Sequence, residues 1–257
     1  MDLNFDLTLA EGYKSGAQRI RRITEGWVGT NMFCPRCGNS KIKQFTNNRP
    51  VADFFCPQCG GQFELKSKNG GINGRVNAGA YKTMIERITS STNPDFFFLT
   101  YSASAQCVTG LIIVPKHFFV PGIIEKRPPL ALTAKRAGWV GCNILLSSIP
   151  EQGRVVVIQD GREIPRKDVI EKLKRSTNLS QGNIQSRGWL FDVLRCVNAL
   201  PNDEFSLVEM YSGFEMNLSK IYLGNHNIKA KIRQQLQLLR DAGYIEFLGG
   251  GKYRKLH

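Results

Sequence analysis

RPVADFFCPQCGGQFELKSK, residues 49–68, puts a Cys56-Pro-Gln-Cys59 knuckle between a lone Asp53 and a Glu64-Leu-Lys66 triplet. The flanking runs, 51–55 and 62–67, are short and apolar or alternating, and read as two strands. Side chains alternate along a strand, so Glu64 and Lys66 take one face and Leu65 the other. With the knuckle as the tip of a hairpin, clamping the tip fixes strand register. Asp53 then stands beside Glu64.

The clamp is visible upstream. Cys34-Pro-Arg-Cys37-Gly repeats the pattern of Cys56-Pro-Gln-Cys59-Gly, with 18 residues (38–55) between the pairs. Four thiolates at that spacing suit a tetrahedral structural zinc ion, and the glycine after each pair lets the turn close around sulfur. Four cysteines leave no open coordination position, which excludes a zinc hydrolase. Cys107, Cys142 and Cys196 lie in apolar surroundings and read as buried thiols.

Two carboxylates and a lysine on one face suit phosphate chemistry. Asp53 and Glu64, with the Leu65 carbonyl as a further oxygen, form a Mg²⁺ site. The ion polarises a phosphodiester and acidifies a bound water, and Lys66 positions that water or offsets developing charge. The plain alternative for Glu-x-Lys is an exposed surface salt bridge. The charge balance favours the chemistry: 35 Lys and Arg against 21 Asp and Glu give +14 over 257 residues, as expected of a protein with a polyanionic partner.

Residues 10–28 carry a helical pattern with Ile20, Ile23 and Val28 on one face, and 77–88 carry another with Ala80, Met84 and Ile88. Strand-like runs follow at 95–101, 107–114, 141–147 and 154–160, which argues for an α/β or α+β core. Residues 162–187 turn charged and then polar, and their end reads as a linker. Beyond it lie a helix at 186–200, a short one at 206–211 with Ser206 and Glu209 spaced as a capping box, and a long one at 227–243 closed by Gly243. Two alternating strands at 244–256 complete the order of a winged helix. The expected division is 1–182 and 183–257. The most apolar run, LIIVPKHFFVPGII (111–124), is too short and interrupted to span a bilayer, and no signal peptide is visible, so a cytoplasmic protein is expected. No long coiled coil or dimer stripe appears, which makes a monomer the default.

Pro50-(x)2-Asp53 followed by Glu64-x-Lys66 resembles the PD-(D/E)xK nuclease superfamily, with two residues rather than none between Pro and Asp. A wider set of segments is similar to the DpnI family of methyl-dependent restriction endonucleases: NNRPVADF, FELKSK, FFFLTY, KRAGWVGCNI, SRGW, IRQQLQLLRD and GKYRKL, in order along nearly the whole chain. The resemblance implies a mixed sheet with helices and an embedded zinc site, followed by a winged helix. It implies Mg²⁺-dependent cleavage of both strands of DNA at GATC carrying N6-methyladenine, with both domains reading methylated DNA. Asp53, Glu64 and Lys66 match the catalytic motif; Cys34, Cys37, Cys56 and Cys59 match the zinc ligands. The clearest departures lie in 162–187 and the GGG of the wing tip.

An N6-methyl projects into the major groove. Trp139, between glycines and near Lys135 and Arg136, is the candidate for apolar contact with it, against a core role. Trp27 and Trp189 sit in helical patterns and read as core. Lys229, Arg233, Gln234 and Gln237 lie off the apolar face of the long helix, and Lys252 and Arg254 lie on the wing; these are the candidate DNA contacts. His117, His226 and His257 have no partner arrangement for catalysis. Two other readings compete: a non-catalytic zinc-ribbon and winged-helix regulator, and a repair or RNA-processing nuclease indifferent to methylation.

Overall fold

The computed structural model describes residues 1–46, 52–71 and 74–256; Pro50, Val51 and His257 lie outside them. The chain runs through α1 (Gly16–Asn31), β1 (Lys43–Gln44), β2 (Phe54–Phe55), β3 (Gln62–Asn69), β4 (Arg75–Ala80), α2 (Tyr81–Thr89), β5 (Asp95–Ser102) and β6 (Cys107–Val114). It continues through β7 (Ile124–Lys126), β8 (Gly141–Leu145), β9 (Val155–Gln159), β10 (Arg162–Glu163) and α3 (Arg166–Ser176). Then come α4 (Ile184–Ala199), β11 (Glu204–Ser206), α5 (Leu207–Ile221), α6 (Ile228–Asp241), β12 (Ile245–Gly249) and β13 (Lys252–Lys255). The chain divides into two compact units, Met1–Ser147 with Glu151–Ser176, and Thr177–His257 with Ser148–Pro150.

The first unit is built on a sheet of order β1-β2-β3-β5-β6-β9-β10. β3 and β5 are parallel, in the register Phe63↔Asp95, Glu64↔Phe96 and Lys66↔Phe98, while the other neighbours are antiparallel. A parallel pair needs a crossover, which β4 and α2 provide. Phe63 and Leu65 turn toward the core with Phe97, Leu99, Trp27 and Val28 from α1, and Val169 and Leu173 from α3. Phe63 and Phe97 stack at 4.9 Å. Strand alternation therefore sends Glu64 and Lys66 to the opposite face. A second sheet, β4-β8-β7, supports α2.

Two expectations are corrected here. The helix expected over 77–88 begins at Tyr81; residues 77–80 belong to β4, paired with β8 through Asn77↔Asn143 and Ala80↔Gly141 with a bulge at Gly79. Ladder hydrogen bonds override the local helical spacing there. The linker expected at the end of 162–187 is shorter than that reading: α3 fills the middle of the stretch, burying Val169 and Leu173, a 3-10 turn follows at Thr177–Leu179, and α4 already begins at Ile184.

The second unit is a winged helix with β11 joining the hairpin in the order β11-β13-β12. Ile228, Ile232, Leu236 and Leu239 of α6 are all buried, as is Trp189, which stacks on Tyr222 at 3.6 Å. Ser206 and Glu209 form the capping box, but the helix they start runs on to Ile221 rather than ending at 211. Gly243 terminates α6 at φ 77°, a conformation that costs glycine nothing. No helix among the described residues is long and apolar enough to cross a membrane.

Candidate functional site

The four expected cysteine ligands converge. Their sulfurs lie within 4.8 Å of one another, with Cys34–Cys59 and Cys37–Cys56 at 3.6 Å. Each knuckle closes by the same bonds: the Gly38 N–H donates to Cys34 O at 2.8 Å and the Gly60 N–H to Cys56 O at 3.0 Å. Gly38 and Gly60 take φ of 78° and 70°, so the glycine after each pair is required by the backbone. Four soft thiolates, with no fifth His, Cys, Asp or Glu in the group among the described residues, fit a structural zinc ion.

The knuckle is joined to the sheet by a residue of its own loop. Arg36 forks onto Asp95, Nε at 2.6 Å and Nη2 at 2.9 Å, and Asp95 also accepts from the Lys116 N–H at 2.9 Å. Asp95 is 1% exposed and opens β5, the strand parallel to β3. The staple thus holds both β2–β3 and β3–β5.

Beside it stands the acidic face. Asp53 Oδ2 accepts the Leu65 N–H at 2.7 Å, and the Asp53 N–H donates to Phe63 O at 3.0 Å. Asp53 is thereby fixed to the strand that carries Glu64 and Lys66. Burial raises its carboxyl above the usual range, the Leu65 N–H pulls back, and the charge of Glu64 raises it further. Lys66 Nζ meets Glu64 Oε1 at 2.5 Å, and Arg87 of α2 approaches Glu64 Oε2 at 2.9 Å. Two carboxylates with a buried, hydrogen-bond-free Oε2 form a donor set that fits a hard divalent cation such as Mg²⁺.

Three further charged residues reach this site without any signal in the motif. Glu25 of α1 is 4% exposed; it accepts from Arg21 Nε at 2.5 Å and Gln44 Nε2 at 2.9 Å, and its charge is felt at Asp53. Arg21 itself brings Nη2 within 3.9 Å of Asp53 Oδ1, although Arg21–Glu25 at i,i+4 reads in sequence as an ordinary surface pair. Arg87 is the third.

The loop between β7 and β8 carries Trp139, Lys135 and Arg136. It is closed by Leu130 N–H to Trp139 O at 2.9 Å and Gly138 N–H to Leu130 O at 3.0 Å. Lys135 and Arg136 are exposed and Trp139 half-buried. The indole lies against Gly141, where a Cβ would come within 2.7 Å of the ring. Leu132 is 92% exposed on the same loop, an apolar side chain that the sequence reading passed over. The loop feeds β8, whose Cys142, its thiol raised by burial, feels the charges of Lys66 and Arg127. The loop is anchored on β8 through the Arg127 N–H to Gly141 O bond at 3.0 Å.

On the winged helix, Arg233, Gln234 and Gln237 are exposed on the outer face of α6, and Lys252 is exposed on the wing. Lys229 is 3.5 Å from Glu215 and lies over Tyr211. Arg254 is exposed and lies 2.7 Å from Glu204 and 3.4 Å from Glu246.

Residues 1–182 match the family model described as the Dam-replacing family, DpnI. The chain belongs to the DpnI family. Residues 185–255 match the Dam-replacing helix-turn-helix domain that accompanies it. DpnI-family membership implies a restriction nuclease with a C-terminal DNA-binding domain, and DNA as its partner.

Proposed function

We propose that this DpnI-family protein is a Mg²⁺-dependent endonuclease that cuts both strands of GATC sites carrying N6-methyladenine. The observation that carries the nuclease chemistry is the hydrogen bond from the Leu65 N–H to Asp53, which fixes one carboxylate beside Glu64 and Lys66 on a zinc-stapled hairpin. Asp53 and Glu64, with the Leu65 carbonyl, are the proposed Mg²⁺ ligands. A bound Mg²⁺ supplies Lewis-acid polarisation of the phosphodiester and a water acidic enough to attack at neutral pH. Lys66 holds that water or offsets charge on the phosphate, and zinc at Cys34, Cys37, Cys56 and Cys59 keeps the register. The working division is a catalytic domain of 1–182 and a winged helix of 183–257, acting in a cytoplasmic monomer.

For the methyl group, Trp139 offers an apolar wall on a basic loop, with Leu132 on the same loop and Lys135 and Arg136 for phosphate. One buried methyl contributes about 0.8 kcal/mol, and a shaped pocket roughly 1–3 kcal/mol, or about 10- to 200-fold. A second reader multiplies that preference; Arg233, Gln234 and Gln237 on α6 are its proposed base-facing residues, with Lys229 and Lys252 toward phosphate. Arg254 on the wing is proposed to face phosphate as well, exchanging its surface pairs with Glu204 and Glu246.

The test is cleavage of one oligoduplex containing a single GATC, prepared with both, one or neither adenine methylated, in Mg²⁺. Cutting of the fully methylated duplex alone supports the proposal. Equal cutting of all three keeps the nuclease and discards the methyl reading. No cutting, with DNA still bound, favours the non-catalytic regulator. In the same assay Trp139→Ala lowers the methylated-to-unmethylated rate ratio by about 10-fold. An unchanged ratio returns Trp139 to a packing role.

A further inference from the structure

Arg87 belongs to no motif, yet it reaches the acidic face from the last turn of α2. Its Nη2 lies 2.9 Å from Glu64 Oε2, but the approach is not aligned as a hydrogen bond. Nε and Nη2 of Arg87, and Oε2 of Glu64, are all buried without a hydrogen-bond partner. Buried donors left unmade are costly, so an arginine kept this way calls for a reason.

The same molecule shows what a structural arginine–carboxylate pair looks like. Arg36 meets Asp95 with two aligned bonds, at 2.6 and 2.9 Å. Arg87 does not fork onto Glu64 in this way, and Glu64 already has a counter-charge in Lys66 at 2.5 Å. The second cation exceeds what Glu64 needs as a lone carboxylate. Its unspent donors suit two oxygens of one phosphate, the geometry for which a guanidinium is preorganised.

We infer that Arg87 is a phosphate-binding residue of the nuclease site, taking non-bridging oxygens of the scissile phosphodiester next to Glu64. This rests on the nuclease reading of the Asp53–Glu64–Lys66 face. The guanidinium lies 2.9 Å from Glu64. When DNA arrives, its free donors turn to the phosphate without leaving the carboxylate's field.

The experiment compares the full-length parent, Asp53→Asn, Arg87→Gln and Arg87→Lys on a fully methylated duplex. Binding is measured in Ca²⁺ over a range of salt, and single-turnover cleavage in Mg²⁺ at saturating DNA. For Arg87→Gln, the slope of log affinity against log salt falls by about 0.9, one phosphate contact. Its cleavage rate falls about 10²-fold. Arg87→Lys keeps the slope and recovers part of the rate, because the charge stays and the fork is lost. It also tests the fork if the glutamine variant fails to fold. A parental slope and rate in Arg87→Gln overturn the inference while leaving the nuclease reading intact. A reduced slope with a parental rate places Arg87 on a remote phosphate and overturns it equally. If the parent itself does not cleave, the nuclease reading falls and takes this inference with it.

Discussion

Asp53→Asn binds methylated duplex as the parent does and cuts it about 10³-fold more slowly, or less. The substitution keeps the shape of the side chain and an acceptor for the Leu65 N–H, and removes the negative charge that a divalent cation needs. Stability moves the other way. Asp53 has its carboxyl raised by burial first and by the charge of Glu64 as well. For an acid raised in the folded state, ionisation costs the fold stability, and the cost disappears as pH falls through the raised value. The zinc-loaded, Mg²⁺-free Asn variant therefore melts no lower than the parent at neutral pH, and the difference closes in acid, as pH falls through the raised value and below the ordinary carboxylate range. Thermal melts at the two pH values check this. A variant that melts well below the parent at neutral pH contradicts the account of Asp53 as a charge held at the fold's expense for function.

Zinc removal has the second large effect. Structural sites of this type bind with an apparent 10–16 kcal/mol, roughly, and that energy is coupled to folding. Here the coupling has a path: the knuckles clamp β2 to β3, and Arg36 carries the clamp to Asp95 at the start of β5. Cys56→Ser, or a chelator, lowers the melting temperature of the first unit by about 10 °C or more and abolishes cleavage. Adding back zinc to the chelated parent restores both, and added Mg²⁺ restores neither. A chelated protein that melts like the parent contradicts the staple.

Much of this was legible in the sequence because the decisive residues are close together in it. Asp53, the knuckle and Glu64-Leu-Lys66 fall within one hairpin, so alternation and a turn were enough to place them on one face. The α6 stripe of Ile228, Ile232, Leu236 and Leu239 was readable for the same local reason, and all four are buried. What escaped depends on distant pairing. Residues 77–80 have helical spacing, yet β8, more than 60 positions away, recruits them into a ladder. Glu25 and Arg87 reach the site from two helices whose packing no short motif encodes. Arg254 looks in sequence like any wing cation; only the fold shows Glu204 and Glu246 on either side of it. The apolar tip at Leu132 was hidden for the opposite reason, since a leucine in a sequence says nothing of its exposure until the loop that carries it is seen.

The most direct measurement is anomalous scattering from a crystal of zinc-loaded protein, methylated duplex and Mn²⁺, recorded on both sides of the manganese and zinc edges. The account predicts zinc among Cys34, Cys37, Cys56 and Cys59, and manganese between Asp53 and Glu64 against a DNA phosphate. Manganese bound elsewhere, with the Asp53–Glu64 face carrying no metal and no phosphate, would contradict it.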